Sequence, residues 1–335
     1  MEKMIPIDLL GEFNRKYPKA FKTIDRIFCD KGTKWHKEYC YCPVGLAIEY
    51  VKAYGIPALD DSLRAAKDGG KMAVLSSWRY AKSVYRISEG LTHEFLKSVD
   101  DDIKVTSDLL TIPEYCIYID TMRGFADIDG LFVMFDDDHA RGHKELYIIP
   151  VQDGGMVTAM YLVIPAAPEL LSMILGKSWI EAHEDLERYR EFHADISIEA
   201  EENYFKVSRK IIRYVINVLM YLSAVNAEVK FINSKSLRTH GKAKDTIKGV
   251  KRYSVGERLG VRLKKFRSHV VRYEVDREES GSTHKSPIMH IRRAHYHTYL
   301  VGKGRKIRRV KWLPPIVVNA DGEEIDYISI NEVDE

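Results

Sequence analysis

Between Tyr115 and Ile164 the chain passes through four short segments rich in β-branched and aromatic residues: Tyr115–Asp120, Gly130–Phe135, Glu145–Val151 and Val157–Ile164. Turn-forming clusters lie between them: Asp127, Asp129 and Gly130, then Asp136, Asp137 and Asp138, then Asp153, Gly154 and Gly155. Such runs, bounded by Gly and Asp, have the pattern of strands. Parallel neighbours would need a crossover of about a dozen residues or more, usually a helix. The intervals are too short for one, so the spacing predicts an antiparallel meander. Whatever else the chain forms must cover the faces of that sheet.

Helical patterns flank the meander. Across 6–105 apolar residues recur at helical spacing, as in Leu9, Leu10 and Phe13 and again in Ala73, Val74, Trp78, Ala81 and Val84. Gly55 to Pro57 and Asp68-Gly69-Gly70 read as turn chemistry within this stretch, and Asp100, Asp101 and Asp102 as a solvated turn that ends it. Ala200 to Ala224 forms the clearest helix, with Phe205, Ile212, Val215, Ile216, Leu219 and Leu222 on one side. Its second half is apolar nearly all round and is expected to be buried. Beyond residue 230, Ser234–Lys251 reads as loop, Tyr253–Glu274 and His290–Asn319 as strand-rich, and Glu278–Lys285 as an exposed loop. The expected fold class is α+β: N-terminal helices, a central antiparallel sheet, a long buried helix and a basic strand-rich C-terminal region. The corresponding divisions are 1–110, 111–229 and 230–335.

No apolar run approaches the ~18 residues of a membrane helix, so no membrane partner is expected. The N-terminus lacks a basic region followed by an apolar one, so no secretory signal is expected. Four cysteines (Cys29, Cys40, Cys42 and Cys116) fit a reducing compartment. A cytoplasmic location is the expectation.

The formal net charge of +3 conceals a segregation. Residues 231–312 hold 23 Lys and Arg against 6 Asp and Glu, while the remainder holds 29 against 43. A chain divided in this way either presents a cationic face to an anion such as RNA, or packs its acidic part on its basic part. The densest segment, MHIRRAHYHTYLVGKGRKIRRVKWLPP from Met289, carries His290, His295 and His297 among Arg292, Arg293 and Tyr296. In extended chain His295 and His297 point one way and His290 the other. Lys303, Arg305, Lys306, Arg308, Arg309 and Lys311 follow, then Trp312, with Lys264, Lys265 and Arg267 earlier. These residues suit sequence-independent phosphate contact, with His, Tyr and Trp stacking on bases. Two same-face histidines would also serve as general base and acid in a metal-independent ribonuclease, with Arg292 or Arg293 stabilising the transition state. A buried polar network is the third reading. Binding ranks ahead of the network, and the network ahead of catalysis. Trp312 is expected to anchor the turn made by the two prolines after it.

Two clusters invite a metal reading. Cys29, His36, Cys40 and Cys42 include soft ligands, but a Cys-x-Cys spacing departs from structural zinc sites, so small buried thiols are preferred. Asp136, Asp137, Asp138 and His139 follow a strand, but consecutive side chains diverge, so a solvated turn is preferred. No metal and no cofactor are expected.

Several segments together resemble the larger type V-A anti-CRISPR family, which represses biogenesis of the type V-A CRISPR effector nuclease. They are IPEYCIYID at Ile112–Asp120, VGERLG at Val255–Gly260 and HIRRAHYH at His290–His297. Tyr299, Gly302, Gly304, Val310, Trp312, Pro314 and Val317–Asn319 follow the last in similar order. The likeness is best in the C-terminal third. The chain departs from the family pattern at Ala294, Tyr296 and Leu300, where Gly, Trp and another aromatic are expected. The resemblance implies a non-enzymatic regulator that recognises the effector's N-terminal polypeptide as it leaves the ribosome and causes loss of the message. Messenger or ribosomal RNA would then meet the basic C-terminal region. The peptide-binding residues do not follow from the resemblance.

Overall fold

The computed structural model describes residues 4–54, 61–97, 104–105, 107, 109–121, 125, 127–138, 141–177, 198–232, 249–280 and 290–318. Four helices come first: α1 (Ile5–Lys16), α2 (Ala20–Cys29), α3 (Val44–Ala53) and α4 (Asp61–Ala81). Then follow β1 (Ser83–Ile87), α5 (Glu89–Lys97), β2 (Lys104–Val105), β3 (Cys116–Asp120), β4 (Gly130–Asp138), β5 (His143–Gln152), β6 (Gly155–Met156), β7 (Met160–Val163) and β8 (Glu169–Leu170). A helical stretch at 171–177, α6, leads on to α7 (Ile198–Leu222), β9 (Val229–Ile232), β10 (Lys251–Val255) and α8 (Glu257–Ser280). The chain continues with β11 (His290–Arg292), β12 (His295–Val301), β13 (Ile307–Leu313) and β14 (Ile316–Val318). The class is α+β, as expected. Among the described residues no helix is long and apolar enough to cross a membrane.

The meander is present. Strands β3, β4 and β5 pair antiparallel in sequence, and β5 also pairs with β6 and β7. The sheet as a whole is mixed, in the order β6-β5-β4-β3-β1-β10-β9. Strand β1 runs parallel to both β3 and β10. It lies in the stretch whose apolar spacing predicts helix. A lone SVYRI run between two helices offers too few residues to separate the two periods. A crossover through α5 returns the chain to β3, which meets the length a parallel pair requires.

Helices cover both faces. Cys116, Tyr118, Phe132, Met134, Tyr147 and Ile149 face α1–α4, while Ile117, Ile119, Leu131, Val133, Leu146 and Ile148 face α5 and α7. Alternate side chains of one strand thus enter two separate cores. Strand β4 is buried along nearly its whole length for this reason. The C-terminal half of α7 is buried as expected, from Tyr214 through Tyr221.

Three further sequence expectations are corrected. Asp68, Gly69 and Gly70 make no turn and lie within α4. A Cβ on Gly69 would stand 2.5 Å from Ile48 and one on Gly70 2.3 Å from the Tyr147 hydroxyl, so the glycines permit close packing. Asp136, Asp137 and Asp138 are not a solvated turn; they end β4, with Asp136 and Asp137 buried. The Asp136 carboxylate accepts the Val44 N–H at 3.0 Å, and Asp137 accepts the His36 N–H at 2.7 Å. Val44 opens α3, so Asp136 supplies from the sheet the cap that Pro43 lacks. The third is Tyr253–Glu274, of which only the first three residues are strand. Gly256, at φ +67°, ends β10, and Leu263, Phe266 and Val270 then recur at helical spacing on the buried side of α8.

Cys40 and Cys42 are buried and Cys29 is exposed. Burial pushes both buried thiols up from their ordinary range. No group of three His, Cys, Asp or Glu among the described residues could hold a metal ion. The turns read at 55–57 and 100–102, His139, and most of the loops read at 234–251 and 278–285 lie outside the described residues.

Candidate nucleic-acid interface

The His/Arg segment folds into an antiparallel hairpin. Strands β12 and β13 pair from His295 opposite Leu313 to Val301 opposite Ile307. The turn between them needs backbone that L side chains rarely adopt, with Gly302 at φ +78° and Gly304 at φ +73°. Period-two alternation then divides the residues between two faces.

The inner face docks on α5, α7 and the turn after α7. Trp312 is fully buried, edge-on to Tyr221 at 5.7 Å and to Phe95 at 6.5 Å between ring centres. The side-chain amide of Asn226 accepts the Trp312 N–H at 3.0 Å and donates to its carbonyl at 2.8 Å. Val225 N–H donates to the Val310 carbonyl at 2.9 Å. The Tyr296 hydroxyl donates to the Asn217 carbonyl at 2.7 Å, within α7, and burial pushes its pKa well up. Tyr296 and Trp312, expected among the RNA contacts, are therefore turned inward. They share the register position Tyr296 opposite Trp312, and the apolar side of α7 claims both.

The outer face carries His295, His297 and Tyr299. Opposite them in register stand Leu313, Lys311 and Arg309. The rings of His297 and Tyr299 lie nearly parallel, 6.3 Å apart with planes 21° from each other. His295 Nδ1 is 3.2 Å from the Arg293 carbonyl. Arg292, Arg293, Lys303, Arg305, Lys306 and Arg309 are exposed, and Arg308 and Lys311 are half-buried. His290 falls on β11, opposite Val318 of β14, in a different ladder from the other two histidines. Tyr299 joins this face although it is not among the contacts expected from the sequence. Its two-residue spacing from His297 is the signal that would have found it.

The earlier cations behave differently. Lys264 pairs with Glu89, Arg267 with Glu94 at 2.7 Å, Lys251 with Glu114 at 3.1 Å and Arg258 with Glu228 at 3.2 Å. The Glu94 carboxylate is buried, so Arg267 belongs to the α5–α8 contact. The acidic part thus packs on the first half of the basic segment. Among the described residues, no ion pair joins the outer hairpin cations Arg309 and Lys311 to a carboxylate. A flat, open row of imidazole, phenol, guanidinium and ammonium is suited to stacking on bases and contacting phosphates.

A sequence model described as AcrVA2-like, the anti-CRISPR type V subtype A2 family, matches residues 85–320. A crystal structure of AcrVA2 superposes with a TM-score of 0.60 over 95% of this chain and 100% of that one, at 18% identity. At that identity the superposition speaks for the fold. Comparison with curated proteins gave no match.

Proposed function

The chain belongs to the AcrVA2-like family of type V subtype A2 anti-CRISPR proteins, and we propose that it lowers production of the type V-A effector nuclease. In this reading it recognises the effector's N-terminal polypeptide as it emerges from the ribosome in the host cytoplasm, and loss of the encoding message follows. The hairpin meets messenger or ribosomal RNA. The observation that carries the RNA half is the outer row of His295, His297 and Tyr299 facing Lys311 and Arg309. Stacking surfaces on β12 stand beside cations on β13, and Arg309 and Lys311 are not spent on described carboxylates. The likeness of the His/Arg segment to the family supports the peptide half. Message loss is assigned to a nuclease of the host.

The test is to co-express the chain with an effector gene and measure effector message. Two altered genes accompany it. One is recoded synonymously over the first codons; the other encodes a different peptide there. Message is expected to fall for the native and recoded genes and to persist for the altered peptide. A message that stays constant while nuclease activity falls would replace this reading with inhibition of the finished enzyme. RNA cleavage by the purified protein, lost in His295→Ala, would replace it with a ribonuclease.

A further inference from the structure

Away from the hairpin, a cleft of about 470 Å³ opens where the loop before α3 approaches the ends of β1, β3 and β10. Its walls are aromatic, from Tyr39, Tyr80, Tyr115 and Phe135. Tyr80 is 65% exposed, unusual for so large a ring. Lys144 reaches in from β5, with its ammonium 3.9 Å from the centre of the Phe135 ring and 4.7 Å from that of Tyr39. Among the described residues that ammonium makes no ion pair or hydrogen bond. Desolvation holds its pKa below the ordinary lysine value, with Glu38 opposing. The second cation, Lys251, is already matched by Glu114, whose other oxygen accepts the Ser83 hydroxyl at 2.7 Å.

The half-buried Lys144 ammonium is poorly placed for stability, because the rings and the Glu38 carboxylate, which does not reach it in an ion pair, replace its lost hydration only in part. An incoming carboxylate would complete it. Glu38 and Glu114 also line the cleft and offset Lys144 and Lys251 in formal charge, which disfavours a polyphosphate backbone; Glu38 is hydrogen-bonded to His36, so the direct contact position on the Lys144 ammonium is left for one carboxylate. The size fits a few side chains of an extended segment.

We infer that this cleft holds a short stretch of polypeptide, with an aspartate or glutamate carboxylate on Lys144 and a neighbouring aromatic or aliphatic side chain against Tyr80 and Tyr115. The inference deepens the peptide half of the function proposed above and rests on it. It gives that half a location apart from the RNA-facing hairpin, in an aromatic cleft instead of a cationic row.

The test uses the full chain and fluorescently labelled synthetic peptides that tile the effector's N-terminal segment. Each acidic residue is replaced in turn by its amide. Lys144→Met, which keeps the aliphatic stem, and Tyr80→Ala, at an exposed ring, are each expected to weaken binding about tenfold with melting temperatures near the parent's. One acid-to-amide replacement should weaken binding to the parent by a similar factor, yet change little in Lys144→Met, because the two share one interaction. Lys52→Met, at an exposed pair with Glu49, is the control and should bind as the parent does. If the parent binds a peptide and Lys144→Met and Tyr80→Ala bind it equally well, the cleft is overturned while peptide recognition stands. If the parent binds none of the peptides, the underlying reading fails and the cleft's role with it. Displacement of bound peptide by single-stranded RNA, lost in Lys144→Met but not in Lys311→Gln, would overturn it in favour of a nucleic-acid cleft.

Discussion

Asp136 carries more structure than its place in a run of three aspartates would imply. It is 4% exposed, and it accepts the first N–H of α3 and the Cys40 thiol. Burial pushes its carboxyl from the ordinary 3.8 up to about 6, while those donors and the Asp137 backbone pull the other way. Between these values the folded chain holds a proton that the unfolded chain has released. Stability from this group is therefore present at the acid end and is lost as the pH rises through about 6, a loss on the order of 3 kcal/mol. Asp136→Asn cannot ionise and keeps an oxygen for Val44. Urea midpoints of parent and variant should diverge in favour of the variant from pH 4 to pH 7; parallel profiles would refute the assignment. Asp68 shows the opposite balance. Burial works to raise its carboxyl, but bonds from Lys16 at 2.7 Å and Tyr17 at 2.6 Å outweigh it and hold the group low.

Among the elements, the contact between α5 and α8 depends on two glycines. A Cβ on Gly90 would stand 2.2 Å from the Gly260 carbonyl oxygen, and one on Gly260 2.3 Å from the Ser88 hydroxyl. Backbone cannot rotate away, so Gly90→Ala must push the helices apart and should cost about 1–3 kcal/mol or more. Gly45→Ala, in α3 with nothing within 4 Å, should instead stabilise by roughly 0.5–1 kcal/mol. Thermal melts of the two variants should therefore shift in opposite directions. The hairpin allows a similar contrast between its faces. Trp312→Ala opens a cavity against Phe95 and Tyr221 and should cost about 3–5 kcal/mol. Tyr299→Ala, on the outer face, should leave the melt within about 1 kcal/mol of the parent and weaken RNA binding. A Trp312→Ala protein that melts like the parent would contradict the docking of this hairpin on α7.

At the scale of the whole molecule, the charge segregation resolves into two uses. Lys251 of β10 and Arg258, Lys264 and Arg267 of α8 are matched by carboxylates from earlier in the chain, which helps hold the C-terminal segment against the body. Arg309 and Lys311 of the hairpin face outward. Counterion release makes RNA affinity fall with salt in proportion to the phosphates contacted. Arg309→Gln and Lys311→Gln should each reduce the slope of log affinity against log salt by about 1. Arg258→Gln, whose partner is Glu228, should leave the slope unchanged. A slope insensitive to all three substitutions would remove the hairpin from RNA recognition.

Features that depend on local period and turn chemistry were legible in the residues alone. The antiparallel meander follows from strand runs too close together for crossovers, and the long buried helix from apolar spacing over seven turns. That His295 and His297 share one side follows from the two-residue repeat of a strand. Local sequence could not decide which polar groups are buried or which faces are claimed by distant elements. Asp136 becomes a helix cap only because α3 arrives 92 residues away in sequence. Trp312 and Tyr296 become core because α7 presents an apolar side to that face of the hairpin. Lys144 enters an aromatic cleft only when Tyr39 and Phe135 are brought beside it. Burial is a property of surfaces meeting, and the free energy of a charge or ring depends on what meets it. Tertiary structure alone fixes that environment.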